Sequence, residues 1–341
     1  MTRIALGFIG AFDAGSYESG ARLAEDHGYE TVWLAEDYFL RDAATLAGAV
    51  ARATDRIDVG LVVNPYTRSP PLTAMTAASL GAMAGGDVRL AMGAGPGIVL
   101  ERFTAYDRPL AHVKGATTVV RRLFAAESVT GSVGPYDLED VRLGACPYMP
   151  YLTPPPTPDA IPPIAIAAMG PQMRRLAGAI GDGWLVSFGY TPEMVADQWP
   201  AVAEGLASRD DGVAEAGFDV EAFILAAGSV TDRVREFAAR TIATHDREVV
   251  VKSGIDPDAA AAVATAVEEQ GVTAAADRVT DAMAATYALV ADGPRSPSDR
   301  LDQYAAAGVD CPVLIPIGAD HVDRVVAMGA RWRADRADSP S

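Results

Sequence analysis

The thirty residues IDVGLVVNPYTRSPPLTAMTAASLGAMAGG, Ile57–Gly86, hold one complete strand–turn–helix unit. Within the strand at 57–64, residues 59–63 are an unbroken apolar run rich in valine, as a parallel strand covered on both faces requires. Asn64-Pro65 stops that strand abruptly. Pro70-Pro71 then opens a helix of small and apolar residues, and Gly85-Gly86 closes it. Between them Tyr66, Thr67 and Arg68 sit on a proline-stiffened turn. A buried strand ending in such a turn is a common way to present a ligand site.

The same alternation continues outward in both directions. Strand-like runs lie at 4–9 (IALGFI), 29–37, 57–64, 87–95, 164–169, 183–188, 223–229 and 311–318. Helical spacing separates them at 16–28, 42–54, 70–86 and near 109–127. Eight strands with helices between them predict an α/β fold, a (β/α)8 TIM barrel, within one domain spanning 1–341. A doubly wound open sheet is the alternative, and the strand count favours closure. Two insertions interrupt the rhythm. Residues 128–144 alternate around Gly134-Pro135 and read as a β-hairpin. Residues 146–163 follow, too rich in proline for a helix or a central strand, and read as a surface connection or lid. Together they make an insertion over 128–163. Residues 245–297, Ala-rich and mostly helical, form the second, between strands seven and eight.

Composition limits the function. The chain has 341 residues and a net charge of −17, which disfavours nucleic acid as a partner. Lys114 and Lys252 are the only lysines, a pattern shared by salt-adapted proteins and GC-rich genomes. No run of 18 apolar residues occurs, so no membrane span is expected. The opening MTRIALGFIG lacks the pattern of a cleavable signal, so a cytoplasmic location is expected. Cys146 and Cys311 are far apart and no Cys/His cluster appears, so neither a disulfide scaffold nor a metal is expected.

A (β/α)8 barrel works at the C-terminal ends of its strands. Glu36 and Asp37 end strand two, and either carboxylate is a candidate for proton transfer if burial raises its pKa. The plainer reading is a solvated acid or a partner for Arg41 or Arg68. Gly93, Ala94 and Gly95 in GAGPG end strand four, where glycine lets backbone approach a flat ligand; a tight turn is the alternative. Ala168, Met169, Gly170, Pro171 and Gln172 join strand five to its helix. Proline at the first helical position leaves the next N–H groups free for an anion, with Arg174 and Arg175 close by; an ordinary helix start is the alternative. The histidines, His27, His112, His245 and His321, fall on helices or their ends without a catalytic spacing.

Five stretches together resemble a known family: LAEDHGYETVWLAEDY (23–38), VVNPYTRSP (62–70), GAGPG (93–97), PPIAIAAMGPQMRRLAGAIGDGWLVS (162–187) and AGVDCPVLIPIG (307–318). The chain resembles the luciferase-like superfamily of flavin- and deazaflavin-dependent barrels. Within it, the chain is similar to the branch of coenzyme F420-dependent methylenetetrahydromethanopterin reductases.

The resemblance implies a hydride-transferring oxidoreductase acting on a small molecule, with a methylenetetrahydropterin-type one-carbon carrier among the possible substrates. It implies F420 as cofactor, with FMN and a monooxygenase reaction as the alternative, and a homodimer. It places Leu61, Val62, Val63 and Asn64 behind the cofactor ring. A non-prolyl cis peptide bulge is expected at Leu61-Val62 or Val62-Val63, with the Asn64 amide at the ring's polar edge. The phosphate-bearing tail would run over Gly93–Gly95 and Ala168–Gln172. Two positions depart from the pattern. Gly7 stands where the reductases carry an acid, and Glu36-Asp37 where many relatives have Asp-His. Both departures fall on the substrate side.

Overall fold

The computed structural model describes residues 2–146, 148, 149, 151, 161–209 and 217–337. The strands are β1 (Ala5–Phe8), β2 (Thr31–Ala35), β3 (Asp58–Val63), β4 (Val88–Gly93), β5 (Val129–Val133), β6 (Tyr136–Val141), β7 (Ile164–Ala167), β8 (Gly183–Val186), β9 (Asp219–Ala227), β10 (Ala288–Val290) and β11 (Cys311–Pro316). The helices are α1 (Ala14–Asp26), α2 (Ala43–Ala53), α3 (Pro70–Gly81), α4 (Gly97–Leu100), α5 (Pro109–Phe124), α6 (Pro171–Ile180) and α7 (Pro192–Ala207). They continue with α8 (Asp232–Thr244), α9 (Arg247–Lys252), α10 (Pro257–Gln270), α11 (Val272–Ala275), α12 (Asp281–Tyr287), α13 (Pro297–Ala306) and α14 (Val322–Ala337). The fold is the expected (β/α)8 barrel of parallel strands and covering helices.

The chain divides into two compact units. One comprises residues 31–184 and 201–218. Its strands pair in the order β2-β3-β4-β7, all parallel. Burial explains that register. Trp33 is fully buried and lies flat on Gly60, its register partner, where a Cβ would come within 2.3 Å of the indole. The glycine in the middle of a β-branched strand is therefore a packing solution. Ser69 caps α3 by accepting from the Leu72 N–H, and Pro70 starts the helix. The expected hairpin is present as antiparallel β5 and β6, with an irregularity between Val129 and Gly131.

The other unit comprises residues 1–30, 185–200 and 219–341. Its parallel order is β10-β9-β11-β1. Gly7 lies on β1 against β11, and a Cβ there would come within 2.2 Å of Ile315 Cδ1. Ile315 thus fills the space that an acid at this position would need.

One expectation is extended and one is corrected. Residues 245–297 are mostly helical as expected, holding α9 to α12, and also contain β10, a three-residue strand paired to β9. Tyr287 ends α12 and Ala288 is already extended, so no glycine or proline marks the change in the sequence. The bulge expected in β3 is absent, and no cis peptide bond occurs among the described residues. The reason is the ladder: β3 pairs without a register shift to β2 through Val62 and to β4 through Val63. Most of the proline-rich 146–163 segment, read as a surface connection or lid, lies outside the described residues.

Candidate active site at the ends of β2, β3, β4 and β7

All the candidate residues fall in the unit of 31–184 and 201–218, on four consecutive strands. Glu36 follows β2, Asn64 follows β3, Gly93 to Gly95 end β4, and Ala168 to Gln172 follow β7. Leu61 and Val63 are buried, and Val62 is partly exposed.

Asn64 is the hub of the turn and is 2 % exposed. Its Oδ1 accepts from the backbone N–H groups of Tyr66 at 3.0 Å and Thr67 at 3.1 Å. Those two donors fix the amide's orientation, since the flipped amide would set N–H against N–H. Nδ2 therefore faces the Tyr38 hydroxyl at 2.8 Å, Thr67 Oγ1 at 2.8 Å and Glu36 Oε2 at 3.1 Å. In this structure the Asn64 amide is engaged at both ends by the protein itself.

Glu36 is equally committed. Its Oε2 also accepts from the Asn64 backbone N–H at 3.3 Å and from the Thr67 hydroxyl at 2.8 Å. Its Oε1 accepts from Arg68 Nε at 3.2 Å, and Arg68 Nη2 reaches Asp42 at 2.8 Å. Both side chains of the Glu36–Arg68 pair are largely buried. The plainer reading of Glu36, a partner for Arg68, describes the contacts found. Asp42 in turn caps α2 by accepting from the Thr45 N–H and hydroxyl. Partial burial works against its charge, but the Thr45 bonds and Arg68 hold its carboxyl below its ordinary range.

A second cluster lies on the other side of the same turn. The Tyr66 ring packs between Tyr106, with centroids 4.8 Å apart, and His112, at 4.5 Å. The Tyr66 hydroxyl donates to the Asp107 carbonyl at 2.5 Å. Burial, aided by Tyr106 and Asp107, pushes the Tyr66 phenol up to about 12. Tyr106 donates to the Gly95 carbonyl at 3.2 Å, tying this cluster to the β4 turn.

The lip formed by β4 and β7 differs from both clusters. Gly93 is the register partner of Ala167, so the two loops leave neighbouring strands side by side. Gly95 adopts φ +70°, and a Cβ there would meet the Tyr38 hydroxyl at 2.3 Å, so only glycine fits. Gly170 precedes α6 with no side-chain cap, and nothing lies within 4 Å of the position its Cβ would take. Pro171 has no N–H, and the Arg174 N–H bonds to the Gly170 carbonyl. Among the described residues no acceptor is found for the Gln172 and Met173 N–H groups, at the positive end of a ten-residue helix. The Ala168 carbonyl is anchored from below by the buried Trp184 indole N–H at 3.0 Å. A glycine-lined, uncapped helix start suits the phosphate-bearing tail of a deazaflavin or flavin cofactor.

Sequence reasoning left Tyr38, Tyr106 and His112 out of the site. Tyr38 directly follows the quoted carboxylates, but nothing in its spacing says that its hydroxyl turns inward to Asn64. Among the described residues, no group of three or more His, Cys, Asp or Glu side chains is placed to hold a metal ion. No helix among them is long and apolar enough to cross a membrane.

Comparison with known proteins places this geometry. Two curated 5,10-methylenetetrahydromethanopterin reductases match almost end to end. The one from Archaeoglobus fulgidus is 27 % identical over 325 residues, covering 90 % of this chain and 92 % of that protein. The one from Methanolobus tindarius is 28 % identical, covering 91 % and 93 %. Among solved structures, the coenzyme F420-dependent tetrahydromethanopterin reductase of Methanopyrus kandleri superposes with a TM-score of 0.80 at 20 % identity, over 97 % of this chain and 98 % of that one. Residues 13–311 match the family model described as luciferase-like monooxygenase. The chain therefore belongs to the luciferase-like superfamily of flavin- and deazaflavin-dependent oxidoreductases.

Proposed function

We propose that this chain is a coenzyme F420-dependent oxidoreductase that transfers a hydride between the deazaflavin and a small organic substrate. The observation that carries the reading is the open β4–β7 lip with the uncapped start of α6, in a chain similar along nearly its whole length to reductases of the F420 branch. When bound, the cofactor supplies the hydride. The protein's part is placement. Gly93, Ala94 and Gly95 let backbone approach the cofactor, and Ala168, Met169, Gly170, Pro171 and Gln172 hold its anionic tail. Leu61, Val62 and Val63 form the wall behind the ring. Glu36 stiffens the β3 turn beside Asp37, and these two carboxylates at the end of β2 are the ones proposed for proton exchange.

The relatives named for methylenetetrahydromethanopterin reduction make a one-carbon pterin carrier one candidate substrate. We further propose that residues 1–341 act as one luciferase-like domain in a cytoplasmic homodimer with no nucleic-acid partner, in keeping with the net charge of −17. Fluorescence titration of the purified protein with oxidised F420 and with FMN tests the reading. Binding of F420 is expected. Binding of FMN alone would contradict it and favour the flavin-dependent monooxygenase reaction.

A further inference from the structure

We infer that the block AGAIGDGW, residues 177–184, positions the cofactor's anionic tail from behind, with Gly178 on α6 and Gly205 on α7 setting where the start of α6 stands. This rests on the F420-dependent reading above and adds the residues that aim the tail-binding end of the helix.

Gly178 and Gly205 belong to the same compact unit, and there α6 and α7 meet backbone to backbone. A Cβ on Gly178 would come within 2.1 Å of the Val202 carbonyl oxygen and 2.7 Å of the Leu206 nitrogen. A Cβ on Gly205 would come within 2.1 Å of the Arg175 carbonyl oxygen and 2.9 Å of the Ala179 nitrogen. Each obstacle is main chain, which no change of rotamer can move. A methyl at either position must therefore drive the two helices apart by about 1 Å to restore ordinary contact.

The far end of α6 is held as firmly. The last carbonyls of a helix have no partner within it. Here Arg209 Nη1 donates to the Gly178 and Gly181 carbonyls at 3.3 and 2.8 Å, and Arg121 Nη1 donates to the Ile180 carbonyl. Two cations thus sit where the helix dipole is negative. Arg121 Nη2 also reaches Asp182 Oδ2 at 2.8 Å, and that oxygen accepts from the Ile164 N–H, which opens β7, at 2.8 Å. The block ends at Trp184, whose indole N–H holds the Ala168 carbonyl just beyond β7. One short stretch therefore ties α6 to α7, to α5 and to both ends of β7.

The start of α6 has the opposite character. Gly170 supplies no side-chain cap, and open space surrounds the position of its Cβ. Gly178 lies six residues beyond Gln172, about 9 Å along the helix, too far to touch a phosphate at the first turn. A helix clamped through its C-terminal half presents its first N–H groups at a fixed place, and their bonds to an anion weaken steeply when distance and angle change. Gly178 and Gly205 are positioning residues: bulk at either acts on the tail and leaves the ring's surroundings untouched.

Two ligands separate tail from ring: oxidised F420, and the same deazaflavin cut back to lack the phosphate and everything beyond it. Each is titrated by fluorescence into wild type, Gly178→Ala and Gly205→Ala. Both variants should bind F420 about tenfold more weakly, the worth of one hydrogen bond to a charged group, and should bind the tail-less form as wild type does. The ³¹P resonance of bound F420 should move back toward its free position in both, which a loss of stability alone would not do. Arg209→Met keeps the glycine contact and tests the same clamp should either methyl prevent folding. It should weaken F420 binding about threefold, again with the tail-less form unchanged. Equal losses for the two ligands, or F420 binding and a ³¹P shift unchanged in the variants, would overturn the inference and leave the cofactor reading standing. Wild-type protein that fails to bind F420 would overturn both.

Discussion

The turn after β3 and the lip between β4 and β7 lie in the same unit and present opposite chemistry. The turn is rich in polar groups, and nearly all of them are engaged: Asn64 at both ends, Glu36 at both oxygens, and Arg68 by two acids. The lip carries small residues and an uncapped helix start, with open space around the position of a Gly170 Cβ. Conspicuous functional groups can therefore be structural, while a plain stretch such as AAMGPQ can be where a ligand is met. The turn fixes geometry, and the lip is available for binding.

The sharpest way to break this comparison is Asn64→Ala. If the turn is structural, the variant leaves the part-buried N–H groups of Tyr66 and Thr67 without their Asn64 acceptor, removes the donor to Glu36 and Tyr38, and should lose about 2 kcal/mol of stability in urea unfolding. A loss of F420 affinity at unchanged stability would instead make Asn64 a ligand residue. Gly95→Ala joins the two regions, because its methyl would push on the Tyr38 hydroxyl and the backbone is left-handed there. It should cost about 2 kcal/mol in thermal unfolding as the Tyr38 hydroxyl is displaced from Asn64.

At the lip the expected signs of stability and affinity part. Gly170→Asp places a carboxylate in open space at φ −88°, where it can cap α6. Stability should hold or rise by a few tenths of a kcal/mol, while F420 affinity falls about tenfold through repulsion of the anionic tail. The smallest effect belongs to the outer edge of the turn. Asp42→Ala removes the α2 cap and one partner of Arg68 and should cost about 1 kcal/mol near neutral pH. Because the folded Asp42 carboxyl is held below its ordinary value, its contribution is complete above that value and disappears as pH falls through the depressed one. The gap between wild type and variant in urea unfolding should therefore close in acid.

The fold was legible because hydrophobic runs and helix starts are local signals. Val59 to Val63, closed by Asn64-Pro65, could be little else than a buried strand, and Pro70 marked the helix that follows. The strand β10 was hidden because Tyr287 and Ala288 carry no break between helix and extended chain. The β3 bulge came from analogy, and unbroken pairing on both sides of the strand removes it. The positions of the candidate site were legible from the rule that barrels work at strand ends. The roles of Asn64, Glu36 and Tyr38 were not, because they depend on where each hydrogen bond goes. That is settled by contacts from Thr67 to Glu36 and from Asn64 to Tyr38, 31 and 26 residues apart in the chain.

The most direct test of the division between turn and lip is a crystal structure of the protein soaked with oxidised F420. The account predicts the cofactor's phosphate at the start of α6, within hydrogen-bond reach of the Gln172 and Met173 N–H groups, with the Asn64 side chain still bonded to Tyr66 and Thr67. A phosphate bound elsewhere, or an Asn64 amide turned away from its turn and onto the ring, would contradict it.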